Sequence, residues 1–178
     1  MNLIKIKPAI ALVSLALVSA APQAATTEDA NPQPILPANV VSVYKAPADR
    51  VISESQKQNV LRAVRKASEG WKAAFNRGDA KAAASFYETN SVVTAIPFGI
   101  YMGKDAAQGL WDFIIGSGYK NVEYKNTQIE VIDTNAAVLS ASWEMNKAYG
   151  IITKELWVVQ DDGSAKLRAD EFEIVGAK

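Results

Sequence analysis

The sequence predicts an α+β fold in which helical segments come first and a run of antiparallel strands follows. Between residues 53 and 116, apolar residues recur mostly every three or four positions, which is the spacing of amphipathic helices. Residues 122–176 are instead rich in β-branched and aromatic side chains, interrupted by turn sequences. With 178 residues, 49% hydrophobic and 21% charged, the chain has the composition of one compact domain plus a tail.

The first 24 residues have the layout of a secretory signal peptide. Lys5 and Lys7 precede an apolar run from residue 9 to 18, and small residues follow. A membrane span needs about 20 apolar residues, so an uncleaved anchor is only the second interpretation. We expect cleavage between residues 20 and 25, a periplasmic or secreted mature protein, and no stable membrane insertion afterwards.

Residues 25–52 are rich in proline and show no sustained periodicity, which predicts a linker or an arm over the surface. The folded domain is then expected over residues 53–178.

The residue types that are missing limit the chemistry. The chain has no histidine and no cysteine, which excludes disulfides, Ser-His-Asp and Cys-His arrangements and the usual zinc ligand sets. No cofactor and no metal are therefore expected. Removing the signal peptide leaves two more acidic than basic residues, so nucleic acid is not an expected partner.

Two helices and a sharp corner open the predicted domain. Ser53 and Gln56 fit a capping box, and Gly78 can adopt the left-handed conformation that ends a helix. Asp79 can then cap a second, alanine-rich helix from Ala80 to about Tyr87. The apolar stripe of the first helix consists of Val60, Val64, Ala67, Trp71 and Ala74.

Strands and a third helix follow. "SVVTAI" reads as a strand that Pro97 stops, "FGIYMG" turns the chain back, and "KDAAQGLWDFIIGSG" predicts the third helix. Four further strands are predicted in "VEYKNTQIEVID", "AAVLSASWEMNKA", "GIITKELWVVQDD" and "KLRADEFEIVG". The breaks between them suit tight reversals.

This order of elements, with "W…FNRGDAKAAASFY", "IPFG" and "GKDAAQGLW", resembles the nuclear transport factor 2-like (cystatin-like) superfamily, and within it the SnoaL-like and ketosteroid-isomerase-like branch. The resemblance covers roughly residues 54–175. It implies a cone-shaped barrel, in which a curved, mainly antiparallel sheet wraps around three N-terminal helices. It also implies a deep apolar pocket at the wide end of the cone.

The resemblance indicates which side chains could line that pocket. Large rings fill protein cores more often than they line cavities, so core packing is the alternative for each of them. The candidate ligand-pocket residues are Trp71, Phe75, Tyr87, Ile96, Phe98, Tyr101, Trp111, Trp143 and Trp157.

Ketosteroid isomerases place an aspartate base before a proline, a tyrosine on the first helix and a protonated acid on a later strand. The matching positions here hold Ile96, Trp71 and Glu155. An isoleucine cannot move a proton, so the base of that type is absent, and a tryptophan can only donate a hydrogen bond. We therefore expect no useful isomerisation of ketosteroids.

Glu155 is the candidate catalytic residue. Strand alternation places it on one face with Thr153 and Trp157, and if that face lines the pocket its pKa should rise. If the face of Ile152, Leu156 and Val158 lines the pocket instead, Glu155 is an ordinary solvated side chain. Other acids that could take part are Asp170, Glu171 and Glu173 in "RADEFEI", whose orientation parity does not settle.

The function predicted from these observations is an exported SnoaL-like domain that binds a small hydrophobic or amphipathic molecule. An isomerase, lyase or hydrolase using carboxylate acid/base chemistry around Glu155 is one alternative. A dimeric assembly module without ligand is another. A homodimer through the outer sheet face is expected, because apolar residues occupy both faces of the strands, as Val138 beside Leu139 and Trp157 beside Val158 do.

Overall fold

The computed structural model describes residues 51–178, so the predicted signal peptide and all but the last two residues of the predicted arm lie outside the described residues. Within 51–178 the chain forms three helices and one six-stranded sheet. The helices are α1 (Glu54–Asn76), α2 (Ala80–Ala84) and α3 (Lys104–Gly116). The strands are β1 (Tyr87–Ile96), β2 (Gly99–Met102), β3 (Glu123–Asp133), β4 (Ala136–Glu144), β5 (Ala148–Val159) and β6 (Ala165–Ala177).

The sheet is mixed and mainly antiparallel. Its strand order is β2-β1-β6-β5-β4-β3. β1 and β6 run parallel, and every other neighbouring pair is antiparallel. The parallel pair joins the first strand of the domain to its last, which brings both chain halves into one sheet. The predicted α+β class is confirmed.

Local sequence signals define the helix ends. Ser53 and Gln56 form the predicted capping box, in which each side chain accepts from the other residue's backbone N–H. Gly78 follows α1 with φ of 77°, a conformation that favours glycine. The carboxylate of Asp79 accepts from the backbone N–H of Ala82 at 2.8 Å and so caps α2.

α2 is shorter than predicted, because it ends at Ala84 and not near Tyr87. The Ser85 hydroxyl donates to the carbonyl of Ala82 at 2.6 Å and closes the last turn. Tyr87 already belongs to β1, where it lies opposite Leu167 of β6. Pairing with a long central strand outweighs the helical preference of the alanine-rich segment.

Three register shifts interrupt the pairing of β5 with β6, and two of them flank Glu155. Along β4, Leu139 and Ala141 are two residues apart, but their partners on β5, Glu155 and Ile152, are three apart. The extra residue on β5 brings Ile152 and Glu155 to the same face, although strict alternation would separate them.

A second extra residue on β6 has the same effect around Arg168. Leu156 and Trp157 are adjacent on β5, whereas their partners Ala169 and Leu167 are two residues apart. Leu167 and Asp170 therefore both face inwards.

The helices pack on the inner face of the sheet and form the main hydrophobic core with it. A smaller cluster on the outer face contains Leu156, Val158 and Ala169. These three are at most 4% exposed in a single chain, so a partner chain is not needed to cover them. Between residues 51 and 178 no helix is both long and apolar enough to cross a membrane.

Candidate functional site

A cavity lies between the helices and the inner face of the sheet. It offers about 30 Å³ to the centres of water-sized molecules, which is room for about two waters. The residues that line it are Trp71, Phe98, Trp111, Ile114, Tyr119, Val122, Tyr124, Trp143, Met145, Ile152, Glu155, Asp170, Phe172 and Ile174.

Two carboxyl groups lie side by side in this otherwise apolar wall. Glu155 on β5 and Asp170 on β6 are register partners, and they are only 2% and 4% exposed. Each owes its inward orientation to a bulge. A pair of buried acids without a basic partner in the wall is costly for stability, and such groups gather at functional sites.

The hydrogen bonds of the two acids differ. One oxygen of Glu155, Oε1, accepts from the Tyr124 hydroxyl at 2.9 Å, and the other, Oε2, accepts from Trp157 Nε1 at 2.7 Å. Asp170 accepts from the Tyr87 hydroxyl at 2.6 Å through Oδ2 alone. Its Oδ1 accepts no hydrogen bond from residues 51–178. Glu155 is thus held at both oxygens, while Asp170 has one oxygen without a hydrogen bond from residues 51–178.

Burial raises the pKa of both acids. The pKa of Glu155 rises to about 8, mainly through loss of solvent and then through the neighbouring charge of Asp170. The pKa of Asp170 rises to about 7 through burial, against the hydrogen bond from Tyr87. Near neutral pH the pair therefore holds at least one proton.

The cavity wall also carries hydrogen-bond donors. The indole Nε1 atoms of Trp71, Trp111 and Trp143 are buried and have no partner among the described residues. Burial also raises the pKa of the Tyr87 and Tyr124 hydroxyls well above the ordinary value, so both stay protonated and act as donors to the acids.

The structure brings several of the predicted pocket residues to the cavity. Trp71, Phe98, Trp111 and Trp143 line it together with the candidate acid Glu155. The remaining aromatic candidates lie elsewhere in the fold. Phe75, Tyr87 and Trp157 are buried behind the wall, and Tyr101 packs against the core from a partly buried position. Tyr87 and Trp157 still reach the site by their bonds to the two acids.

Ile96 does not line the cavity. It is 50% exposed, because Ala95 fills the core and strand alternation turns the next side chain outwards. The position expected for a ketosteroid-isomerase base is therefore outside this cavity.

The two predicted alternatives for β5 are each right in part. Glu155 and Trp157 face inwards, as in the first, but Thr153 is exposed and Ile152 lines the cavity, as in the second. The bulge between them is the reason.

Sequence reasoning did not single out Tyr124 and left the orientation of Asp170 open. Tyr124 could have been found from its place opposite Trp143, since paired residues of neighbouring strands share a face. Asp170 carries no such signal, because its orientation depends on the bulge.

Within residues 51–178 no three acidic side chains are grouped so that they could hold a metal ion.

Comparison of the sequence with protein-family models and with curated proteins gives no match. Solved structures are similar in fold. A hexachlorocyclohexane dehydrochlorinase, LinA-type3, from Novosphingobium barchaimii superposes with a TM-score of 0.59 at 12% identity, over 71% of this chain and 93% of the other.

Two further structures give the same picture. A ketosteroid isomerase-like protein from Erwinia carotovora atroseptica has a TM-score of 0.57 at 15% identity, over 65% of this chain and 96% of the other. An NTF2-like protein with a cystatin-like fold from Novosphingobium aromaticivorans has a TM-score of 0.57 at 10% identity, over 68% and 85%. The chain therefore has the cystatin-like fold of nuclear transport factor 2-like proteins.

Proposed function

We propose that the domain catalyses proton transfer on a small, mostly apolar molecule, as an isomerase or a lyase that uses Asp170 and Glu155. The observation that carries the proposal is the pair of buried, adjacent carboxyl groups in the cavity wall. A general base or acid works best when its pKa lies near the working pH, and the pKa values of about 7 and about 8 meet that requirement.

Asp170 is the catalytic base in this proposal. Its Oδ1 is free to take a proton from a carbon atom beside an electron-withdrawing group, and the electron pair of the broken C–H bond moves into a new double bond. In an isomerisation the same oxygen returns the proton to a different carbon. In an elimination the electron pair expels a leaving group from the adjacent carbon. Glu155, held by Tyr124 and Trp157, is a positioning residue that fixes the charge state of the pair.

Two structural neighbours support this class of reaction by their names. One is called a dehydrochlorinase, and the loss of HCl that this name describes is an elimination. The other is called ketosteroid isomerase-like. The cavity as it stands holds only a few water-sized molecules, so an organic substrate binds only when side chains of the wall move apart. That movement is smallest for a small molecule, so we propose a substrate of about one six-membered ring and retain the expectation that ketosteroids are not turned over.

The test uses cyclohex-3-en-1-one, a small β,γ-unsaturated ketone. We expect the protein to accelerate its conversion to the conjugated ketone and to exchange its α-hydrogens for deuterium in D₂O. Asp170→Asn should lower both rates by about 10²–10⁴-fold, the usual contribution of a general base. Asp112→Asn, which changes an exposed acid on α3, is the matched control and should leave both rates unchanged.

Equal rates for the native protein and Asp170→Asn would refute the role of Asp170. Circular dichroism of the variant distinguishes this role from a loss of folding.

Binding without turnover is the second candidate function. It is favoured by the apolar character of most of the wall and by the location of Ile96, which leaves the usual base position without an acid. In that case the small ketone should bind, with no deuterium exchange above the uncatalysed rate.

Export of the protein is also a proposal. It rests on the charged start, the apolar run and the small residues within residues 1–24. Intact-mass measurement of the protein from a periplasmic or culture fraction should give a chain that begins between residues 21 and 26. A soluble cytoplasmic protein that retains Met1 would contradict the proposal.

A further inference from the structure

Unpaired donors are concentrated at the cavity. Among residues 51–178, four buried side-chain polar atoms have no hydrogen-bond partner in the protein. One is Ser91 Oγ, and the other three are the indole nitrogens of Trp71, Trp111 and Trp143, three residues that contribute to the cavity wall. Buried N–H groups are nearly always paired, so three exceptions in one wall call for an explanation.

The rings that carry these donors are fixed by their neighbours. Trp71 and Trp111 meet edge to face with centroids 5.1 Å apart, and Trp111 stacks on Phe172 at 5.7 Å. Trp143 meets Phe172 edge-on at 6.4 Å. Rotating one ring to find an acceptor would disturb the next. The fourth tryptophan of the chain, Trp157, differs because its N–H is bonded to Glu155.

The charge of the wall limits the kind of acceptor. Among residues 51–178, no lysine or arginine lines the cavity, and the carboxylic acids there are Glu155 and Asp170. An anionic ligand would meet the negative charge of this pair without a basic partner. A cation such as an ammonium group could pair with the acids, but it has no lone pair to accept from an indole N–H.

We infer that the ligand of this cavity is a small uncharged molecule with an apolar body and at least one oxygen acceptor, which the indole N–H groups of Trp71, Trp111 and Trp143 bind. This inference rests on the proposed function for its site, because it concerns the same cavity. It does not depend on turnover of the bound molecule. The donors hold the oxygen end of the molecule, and the carbon skeleton then lies in the same cavity as the carboxyl pair.

Four probes of similar size and different chemistry separate the classes. Cyclohexanone carries an acceptor oxygen, and methylenecyclohexane has almost the same shape without one. Cyclohexylamine and cyclohexanecarboxylate supply the cationic and anionic forms. We expect cyclohexanone to bind more tightly than the other three.

Nuclear magnetic resonance of the indole N–H groups reports the contact directly. The chain has four tryptophans, so ¹⁵N-labelled protein should give four indole signals. Cyclohexanone should shift one or more of the signals of Trp71, Trp111 and Trp143 by more than the signal of Trp157, whose N–H is already bonded to Glu155.

Single Trp→Phe changes at positions 71, 111 and 143 keep an aromatic ring and remove the N–H. At least one of them should weaken cyclohexanone binding by about 2–10-fold, as expected for one hydrogen bond. Methylenecyclohexane is the control for packing, because it has no acceptor and a Trp→Phe change can alter its affinity only through shape. The change in the ratio of the two affinities then measures the lost hydrogen bond.

The outcomes also separate this inference from the proposed function. Equal binding of cyclohexanone and methylenecyclohexane, tightest binding of cyclohexylamine, or unchanged indole signals would refute the inference even if deuterium exchange persists. Shifted indole signals without any exchange would support the inference and refute the catalytic proposal.

Discussion

Glu155 and Asp170 carry the same functional group in different surroundings. Both oxygens of Glu155 accept hydrogen bonds, whereas Asp170 accepts through Oδ2 only. A carboxyl group with a free oxygen can exchange its proton with a ligand without breaking a bond to the protein. This difference is the reason why we propose proton transfer by Asp170 and positioning by Glu155.

The raised pKa values predict how stability depends on pH. Each acid binds its proton more tightly in the folded chain than in the unfolded one, so the unfolded chain carries fewer protons between about pH 4 and the folded pKa values of about 7 and 8. The pair's contribution to the free energy of unfolding is therefore largest below about pH 4, and it declines as the pH rises to about 8. One pKa unit corresponds to about 1.4 kcal/mol, so the decline should reach about 2 kcal/mol or more.

Urea unfolding at several pH values measures this decline. Asp170→Asn should flatten it, because the variant loses one titrating group and the charge that acts on Glu155. Asp112→Asn should keep the slope of the native protein, since Asp112 is exposed. A native slope that equals that of Asp170→Asn would contradict a shared, buried proton.

At the level of elements, both ends of α1 and the start of α2 were predictable from sequence, whereas the end of α2 and the inward faces of the last strands were not. Ser53, Gly78 and Asp79 act on backbone groups within a few residues, so their roles can be recognised in a short stretch of sequence. The orientation of Asp170 depends on how many residues of β6 face those of β5, and neither strand specifies that number alone.

The bulge on β5 can be tested by removing its extra residue. Thr153 is exposed and lies between Ile152 and Lys154, where the register of β5 and β6 shifts. Deleting Thr153 leaves Ile152 and Glu155 two residues apart, the spacing of their partners Ala141 and Leu139 on β4, so both side chains keep facing the cavity in a regular strand. We expect the deletion to lower the free energy of unfolding by no more than about 1–3 kcal/mol and to retain the proposed proton exchange.

Thr153→Val is the matched control for this deletion. It keeps the residue count and a β-branched side chain, and it removes only the hydroxyl that donates to the Glu171 carbonyl at 3.1 Å. Its unfolding free energy should stay within about 1 kcal/mol of the native value. A deletion variant that is much less stable than this control and has lost proton exchange would show that Thr153 is not an extra residue and that its removal turns Glu155 away from the cavity.

At the level of the whole molecule, the order of helices and strands was sufficient to predict the fold. It was not sufficient to predict which apolar residues of the outer sheet face are buried and which are exposed. The apolar residues on both strand faces predicted a partner chain. Instead, Leu156, Val158 and Ala169 are already buried within one chain. The exposed apolar residues of the outer face lie further along β5, at Tyr149 and Ile151, which are 44% and 39% exposed.

We therefore propose that the homodimer forms through the part of the outer face around Tyr149 and Ile151. A twofold contact there would bring identical patches together, and a stable interface of this kind buries about 1,200–2,000 Å² in total. Ile151→Glu places like charges near each other across the contact and should dissociate the dimer. Sedimentation at micromolar concentration measures both proteins.

Ile100→Glu is the control, because Ile100 is similarly exposed at 53% but lies on β2 at the opposite edge of the sheet. It should leave the dimer intact. Dissociation by Ile100→Glu and not by Ile151→Glu would move the interface to the edge strand, where β2 has unpaired backbone groups that another chain could bind. A monomeric native protein at all concentrations would refute the dimer, and Tyr149 and Ile151 would then be isolated apolar side chains at the surface, which single chains tolerate.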